Sequence, residues 1–167
     1  VITAIDRLGL DAPLSRLSDR LHALRGLTAP AGALGVAGVA ELLAGLQPRY
    51  PLALVTTRGR TMATGLLAAA GLASYFRVLA TRDDTVYMKP NPAPVRYAAH
   101  ALGVAPERCL MVGDTTVDIL AGRRAGTQTC GVLCGFGERG ELERAGATLV
   151  LEDTARLGEL LVPAGDV

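Results

Sequence analysis

From Leu52 onward the chain alternates short apolar runs with amphipathic stretches, and glycine closes one predicted helix after another. LALVTT (52–57) reads as a buried strand, followed by a helix over 61–70 that stops at Gly71. YFRVLAT (75–81) reads as a strand before a helix over 92–102, ended by Gly103. RCLMVG (108–113) is a strand before a helix over 116–125, closed by Gly126. TQTCGVL (127–133) and ATLVL (147–151) read as two further strands, with helices over 138–145 and 154–161. Short apolar strands separated by helices bury both faces in a parallel sheet covered on each side. The expected fold is therefore α/β: a three-layer, Rossmann-like parallel sheet with helices on both faces. Such sheets gather their ligands beyond the carboxyl ends of the strands, at a topological switch point.

The first fifty residues depart from this pattern. Residues 15–25 suggest one amphipathic helix with Leu17, Leu21 and Leu24 on a face, then the link LTAPAGALG, then a helix over 36–46. The link divides a small N-terminal appendage, residues 1–35, from the α/β body, residues 36–167.

Composition removes several classes of function. With 167 residues, half of them apolar, there is core enough for one stable domain. A net charge of +1 with scattered arginines argues against a nucleic-acid surface or a polybasic membrane face. Aromatic residues are too few for a base-stacking platform. No apolar run approaches the ~20 residues that span a bilayer, and no secretory-signal pattern is present. Cys109, Cys130 and Cys134 are odd in number and lie in apolar surroundings. They read as free thiols of a reducing compartment, so a cytoplasmic location is expected.

Three polar sites fall at predicted strand ends. Thr56 tips LALVTT, with Thr57, Arg58 and Arg60 just beyond it. Lys89 precedes Pro90, which keeps it out of helix, while Asn91 and Pro92 suit the N-cap and first position of the next one. Asp114 closes CLMVG and Asp118 follows four residues later. Thr115 with Asp118 makes a capping-box pattern, which explains Asp118 but leaves Asp114 without a task. Taken in order, the set suits a phosphate and a divalent cation. A hydroxyl donates to a phosphoryl oxygen, an ammonium offsets developing negative charge, and two acids offer hard oxygens to Mg²⁺.

In this order the set resembles the haloacid dehalogenase (HAD) superfamily of phosphohydrolases. Thr56 matches its second motif, Lys89 in KPNP its third, and Gly113-Asp114-Thr-Thr-Val-Asp118 its fourth. GLASYF ahead of KPNPAP, and GVLCGFG followed by ELERAGA, look like the phosphoglycolate phosphatase-like branch. The resemblance implies a Mg²⁺-dependent phosphatase acting on a small phosphorylated metabolite through an aspartyl-phosphate. It gives catalytic roles to Thr56 and Lys89. Thr57 and Arg58 join them in binding substrate, and Asp114 and Asp118 take the metal, Asp118 directly or through water. Residues 1–35 would then be a partial helical cap.

The family's first motif, hhhhDxDGT, is absent. VITAID comes nearest, but Leu8 replaces the second acid and no Gly-Thr follows Asp6. AIDRLGLDAPLS (4–15) reads more readily as helix and turn of a cap. The expectation is that a longer parent carries the nucleophile upstream of Val1, with loss of catalysis as the other explanation. The strands of Thr56 and Asp114 should then flank a central position that is either empty or filled by another segment.

One rival reading comes from a different class. GFGERG (135–140) has the G-x-G-x-x-G spacing of a dinucleotide-binding turn, with Glu152 and Asp153 after the next strand. It lies late in the series, before a short helix, and Glu138 puts a negative charge where pyrophosphate needs amides. A flexible glycine turn is the plainer reading. A catalytically dead, phosphate-binding HAD-like protein is a further alternative.

Overall fold

The computed structural model describes residues 2–3, 38–154 and 156–162. The helix expected over 15–25, and all of the 1–35 appendage except residues 2–3, lie outside them. Within these bounds the chain forms a parallel sheet of six strands. They are β1 (Ile2–Thr3), β2 (Leu52–Val55), β3 (Val78–Ala80), β4 (Leu110–Gly113), β5 (Gln128–Val132) and β6 (Leu149–Leu151). Their order is β3-β2-β1-β4-β5-β6, so the chain winds outward one way from β1, crosses back, and winds out the other way. The helices are α1 (Val39–Leu46), α2 (Arg60–Ala69), α3 (Ala93–Ala101), α4 (Thr116–Ala125), α5 (Arg139–Ala145) and α6 (Arg156–Leu161). This is the three-layer, doubly wound α/β arrangement expected from the alternation of apolar runs.

Burial follows the two-residue period of the strands. Leu52 and Leu54 of β2 join Val112, Cys130 and Val132 in a core that α1 covers with Val39, Leu42, Leu43 and Leu46. The intervening Ala53 and Val55 face the opposite layer, with Ala80, Met111 and, from α3 and α4, Val95, Ala98, Ala121 and Ala125. The all-buried pattern of β2 is what a strand covered on both faces requires.

Helix ends lie close to the glycines that mark them. Gly71, Gly103 and Gly126 all take positive φ, between 69° and 93°, a region open to glycine without a Cβ penalty. At the start of α3 the cap shifts by one residue: Pro92 is the N-cap, and the Asn91 side chain accepts from the Ala93 amide at 2.9 Å. Of the strand expected over 75–81, Tyr75 instead ends a 3₁₀ turn (73–75), and only Val78–Ala80 enters the ladder.

The strands bearing Thr56 and Asp114 do not pair with each other. β1 lies between them, with Ile2 opposite Leu52 and Leu110, and Thr3 opposite Ala53 and Met111. The central position is thus filled by another segment. That puts the reversal of winding, and hence the switch point, beside the tips of β2 and β4.

Candidate active site

Each sequence-predicted residue stands at the carboxyl rim of the sheet. Thr56 directly follows β2, is buried, and sends its amide to the Ala80 carbonyl at 2.8 Å, which locks the strand tip to β3. Its Oγ1 accepts from the Arg58 amide at 3.2 Å, and its own proton is used by no described residue. Thr57 is half-buried and Arg58 buried beside it, with the Arg58 guanidinium against the Met62 sulfur at 3.1 Å. Arg60 turns elsewhere, to Asp84 at 2.5 Å and the Leu79 carbonyl at 3.2 Å.

Lys89 lies on the crossover from β3 to α3, and its Nζ reaches back into the site. It donates to the Val55 carbonyl, one residue before Thr56, at 3.0 Å, and to Asp118 Oδ1 at 2.7 Å. Both side chains of this ion pair are only 1% exposed. Arg124 on α4 donates to the Pro90 carbonyl at 2.9 Å, tying the lysine's loop to the helix that bears Asp118.

Asp118 has both oxygens engaged. Oδ2 accepts from the Thr115 hydroxyl at 2.6 Å and the Thr115 amide at 3.2 Å, while the Asp118 amide returns to Thr115 Oγ1 at 3.3 Å. That is the capping box expected from the sequence. Asp118 thus holds Lys89 through Oδ1 and Thr115 through Oδ2. Gly113 makes the arrangement possible, because a Cβ there would lie 2.7 Å from Asp118 Cγ.

Asp114 is buried at the tip of β4. Its Oδ2 accepts from the Phe136 amide at 2.9 Å, and its carbonyl accepts from the Gly137 amide at 2.8 Å. Sequence reasoning read GFGERG as a loose turn and missed this role. The usable signal was that a glycine pair follows the strand adjacent to Asp114. With these two amides serving Asp114, and α5 only seven residues long, the loop is not arranged as a dinucleotide cradle.

The donor chemistry suits Mg²⁺. Among the described residues no three His, Cys, Asp or Glu side chains gather as a metal cluster. Mg²⁺ keeps several waters and takes one or two carboxylates together with a phosphate, so a single buried aspartate at the strand tips, Asp114, is a donor of the kind it uses. None of the cysteines is in a disulfide, and burial pushes the Cys130 thiol up to about 11.

Fold and rim together define a doubly wound α/β protein with Thr56, Lys89, Asp114 and Asp118 buried around the carboxyl ends of its strands. The haloacid dehalogenase-like hydrolase family model matches residues 34–132, and the chain belongs to that family. It is 39% identical over 128 residues to a plasmid-borne phosphoglycolate phosphatase of Cupriavidus necator, covering 76% of this chain and 55% of that protein. It is 36% identical over 124 residues to the Escherichia coli K12 phosphoglycolate phosphatase, covering 74% and 48%. The chain thus spans about half the length of these curated relatives. A crystal structure of a hydrolase from Pseudomonas syringae superposes with a TM-score of 0.69 at 38% identity, over 75% of this chain and 59% of that one. No helix among the described residues is long and apolar enough to cross a membrane.

Proposed function

We propose that the chain carries the phosphate- and cation-handling residues of a Mg²⁺-dependent phosphatase, one that hydrolyses a small phosphomonoester of the phosphoglycolate kind through an aspartyl-phosphate. The observation that carries this reading is the buried contact of Lys89 Nζ with both the Val55 carbonyl and Asp118, which brings three distant segments to one rim. The relatives named phosphoglycolate phosphatase support the substrate class. Cysteines without a disulfide, two of them buried, support the reading of a cytoplasmic setting.

In this reading Thr56 donates its hydroxyl proton to a phosphoryl oxygen, and Lys89 offsets charge on that group and on the attacking carboxylate. Thr57 and Arg58 line the approach of the anion. Asp114 holds the cation, with Asp118 acting on it through Lys89 or water. When bound, Mg²⁺ supplies charge neutralisation at the equatorial oxygens.

The reaction needs a carboxylate at the tip of the central strand. In sequence, Asp6 follows Thr3, the last described residue of β1, by three positions. Asp6 itself lies outside the described residues. It is the acid this sequence offers for the attack at the carboxyl end of β1; a residue preceding Ile2 belongs to the opposite end of that parallel strand, which speaks against the upstream nucleophile expected from the sequence. Assaying Mg²⁺-dependent phosphate release by this chain and its Asp6→Asn variant decides. Loss of turnover in Asp6→Asn assigns the attack to Asp6, and turnover in neither across a substrate panel overturns the phosphatase reading.

A further inference from the structure

We infer that the loop of Gly135, Phe136 and Gly137 is a positioning device for Asp114, setting the angle at which its carboxylate meets a divalent cation; this rests on the proposed metal-dependent reading. Asp114 directly follows β4 and the loop follows β5, its neighbour in the sheet. Two successive amides of the loop close on this one residue. Phe136 takes Oδ2, and Gly137 takes the main-chain carbonyl. The side chain is thereby fixed at both its root and its tip.

The glycines are a spatial requirement here, not a conformational one. Neither Gly135 nor Gly137 has positive φ, so a side chain meets no backbone objection at either position. What forbids it is the carboxylate itself. A Cβ on Gly135 would fall on Asp114 Oδ2, with Cβ and Cγ of the same aspartate close behind. A Cβ on Gly137 would fall on the Asp114 carbonyl oxygen. Any residue larger than glycine at 135 forces the carboxylate to rotate or the loop to lift, and either movement breaks the Phe136 hydrogen bond. Gly140, the last glycine of GFGERG, differs: a Cβ there meets only the mobile end of Arg144, at 3.2 Å. The spacing thus divides into two glycines that serve Asp114 and one that does not.

Groups that orient a metal ligand are worth about 10- to 100-fold in metal affinity. Calorimetric titration of Mg²⁺ into the full chain, alongside urea unfolding, gives a readout independent of turnover. Gly135→Ala is expected to weaken Mg²⁺ by that factor while remaining folded, and Gly140→Ala to bind as wild type. A folded Gly135→Ala that binds Mg²⁺ unchanged overturns the inference. Should Gly135→Ala fail to fold, the wild-type amide spectrum decides. The Phe136 and Gly137 resonances should move with Mg²⁺ and stop moving in Asp114→Asn; a Phe136 amide unmoved at saturation overturns the inference. A wild-type chain that binds no Mg²⁺ overturns the metal-dependent reading as well, which separates the two failures.

Discussion

Lys89 and Asp118 meet at 2.7 Å as an ion pair buried on both sides, although 29 residues separate them in sequence. The lysine arrives on a loop held out of helix by Pro90, and the aspartate stands one turn into α4. Each has a further anchor: the Val55 carbonyl for the amine, and Thr115 for the carboxylate. An ammonium at the strand tips is thereby fixed in place before any substrate arrives.

Removing one partner should leave the other charged and buried. Asp118→Asn and Lys89→Met are each expected to cost about 3–5 kcal/mol in urea unfolding. The double variant should lose clearly less than the sum, because it removes both charges together. Strict additivity would mean that the pair does not couple.

Gly113 admits the Asp118 side chain against the end of β4. Gly113→Ala places a Cβ 2.7 Å from Asp118 Cγ, a backbone-anchored clash with a short, buried side chain. The expected loss is about 1–3 kcal/mol of stability, the usual range for overpacking. A urea midpoint equal to wild type would show that Asp118 has room to withdraw.

The β2–α2 and β3–α3 connections are tied by a second acid. Asp84 accepts from the Thr81 hydroxyl at 2.6 Å, the Thr81 amide at 2.8 Å and Arg60 at 2.5 Å. Burial disfavours its charged form, but Thr81 and Arg60 outweigh this and hold the carboxyl at about 2, below the ordinary 3.8. A lowered folded-state value gives stability that is present above the unfolded value and is lost as pH falls toward 2. Because Arg60 is half exposed, the contribution is on the order of 1 kcal/mol. Asp84→Asn should therefore lower stability at pH 7 and show a shallower loss between about pH 4 and pH 2. Parallel acid-unfolding curves would contradict this.

In the proposed reaction Thr56 acts through its hydroxyl alone. Thr56→Ala should lower kcat by about 10²–10³-fold, the scale of removing one preorganised donor. Thr56→Ser should keep most of it. Equal loss in both variants would mean that the methyl group, not the proton, matters.

Much of this architecture is legible in the residues. The alternation of apolar runs with glycine-closed helices gives the parallel sheet, because a strand such as LALV has no polar face to offer solvent. The capping box at Thr115 and Asp118 is legible for the same local reason. Other features depend on contacts made across the sheet, which periodicity does not encode. Asp118 reads as half of a cation seat when only Asp114 is near it in sequence; in space its carboxylate meets Lys89. Gly135 and Gly137 read as a loose turn, since nothing local reveals that Asp114 fills the space their missing side chains leave. Residues 75–77 read as strand from Tyr75 and Phe76, but the ladder with β2 begins only at Val78.

The central claim is that Thr56, Lys89 and Asp114 form one seat for a cation-bound phosphoryl group, and phosphate binding tests it without requiring turnover. Calorimetric titration of inorganic phosphate into the chain should give binding only when Mg²⁺ is present, weakened about 10- to 100-fold in Lys89→Met, the scale of a lost charge-assisted hydrogen bond, and abolished in Asp114→Asn. Phosphate binding that is indifferent to Mg²⁺, or that persists undiminished in both variants, would contradict the account.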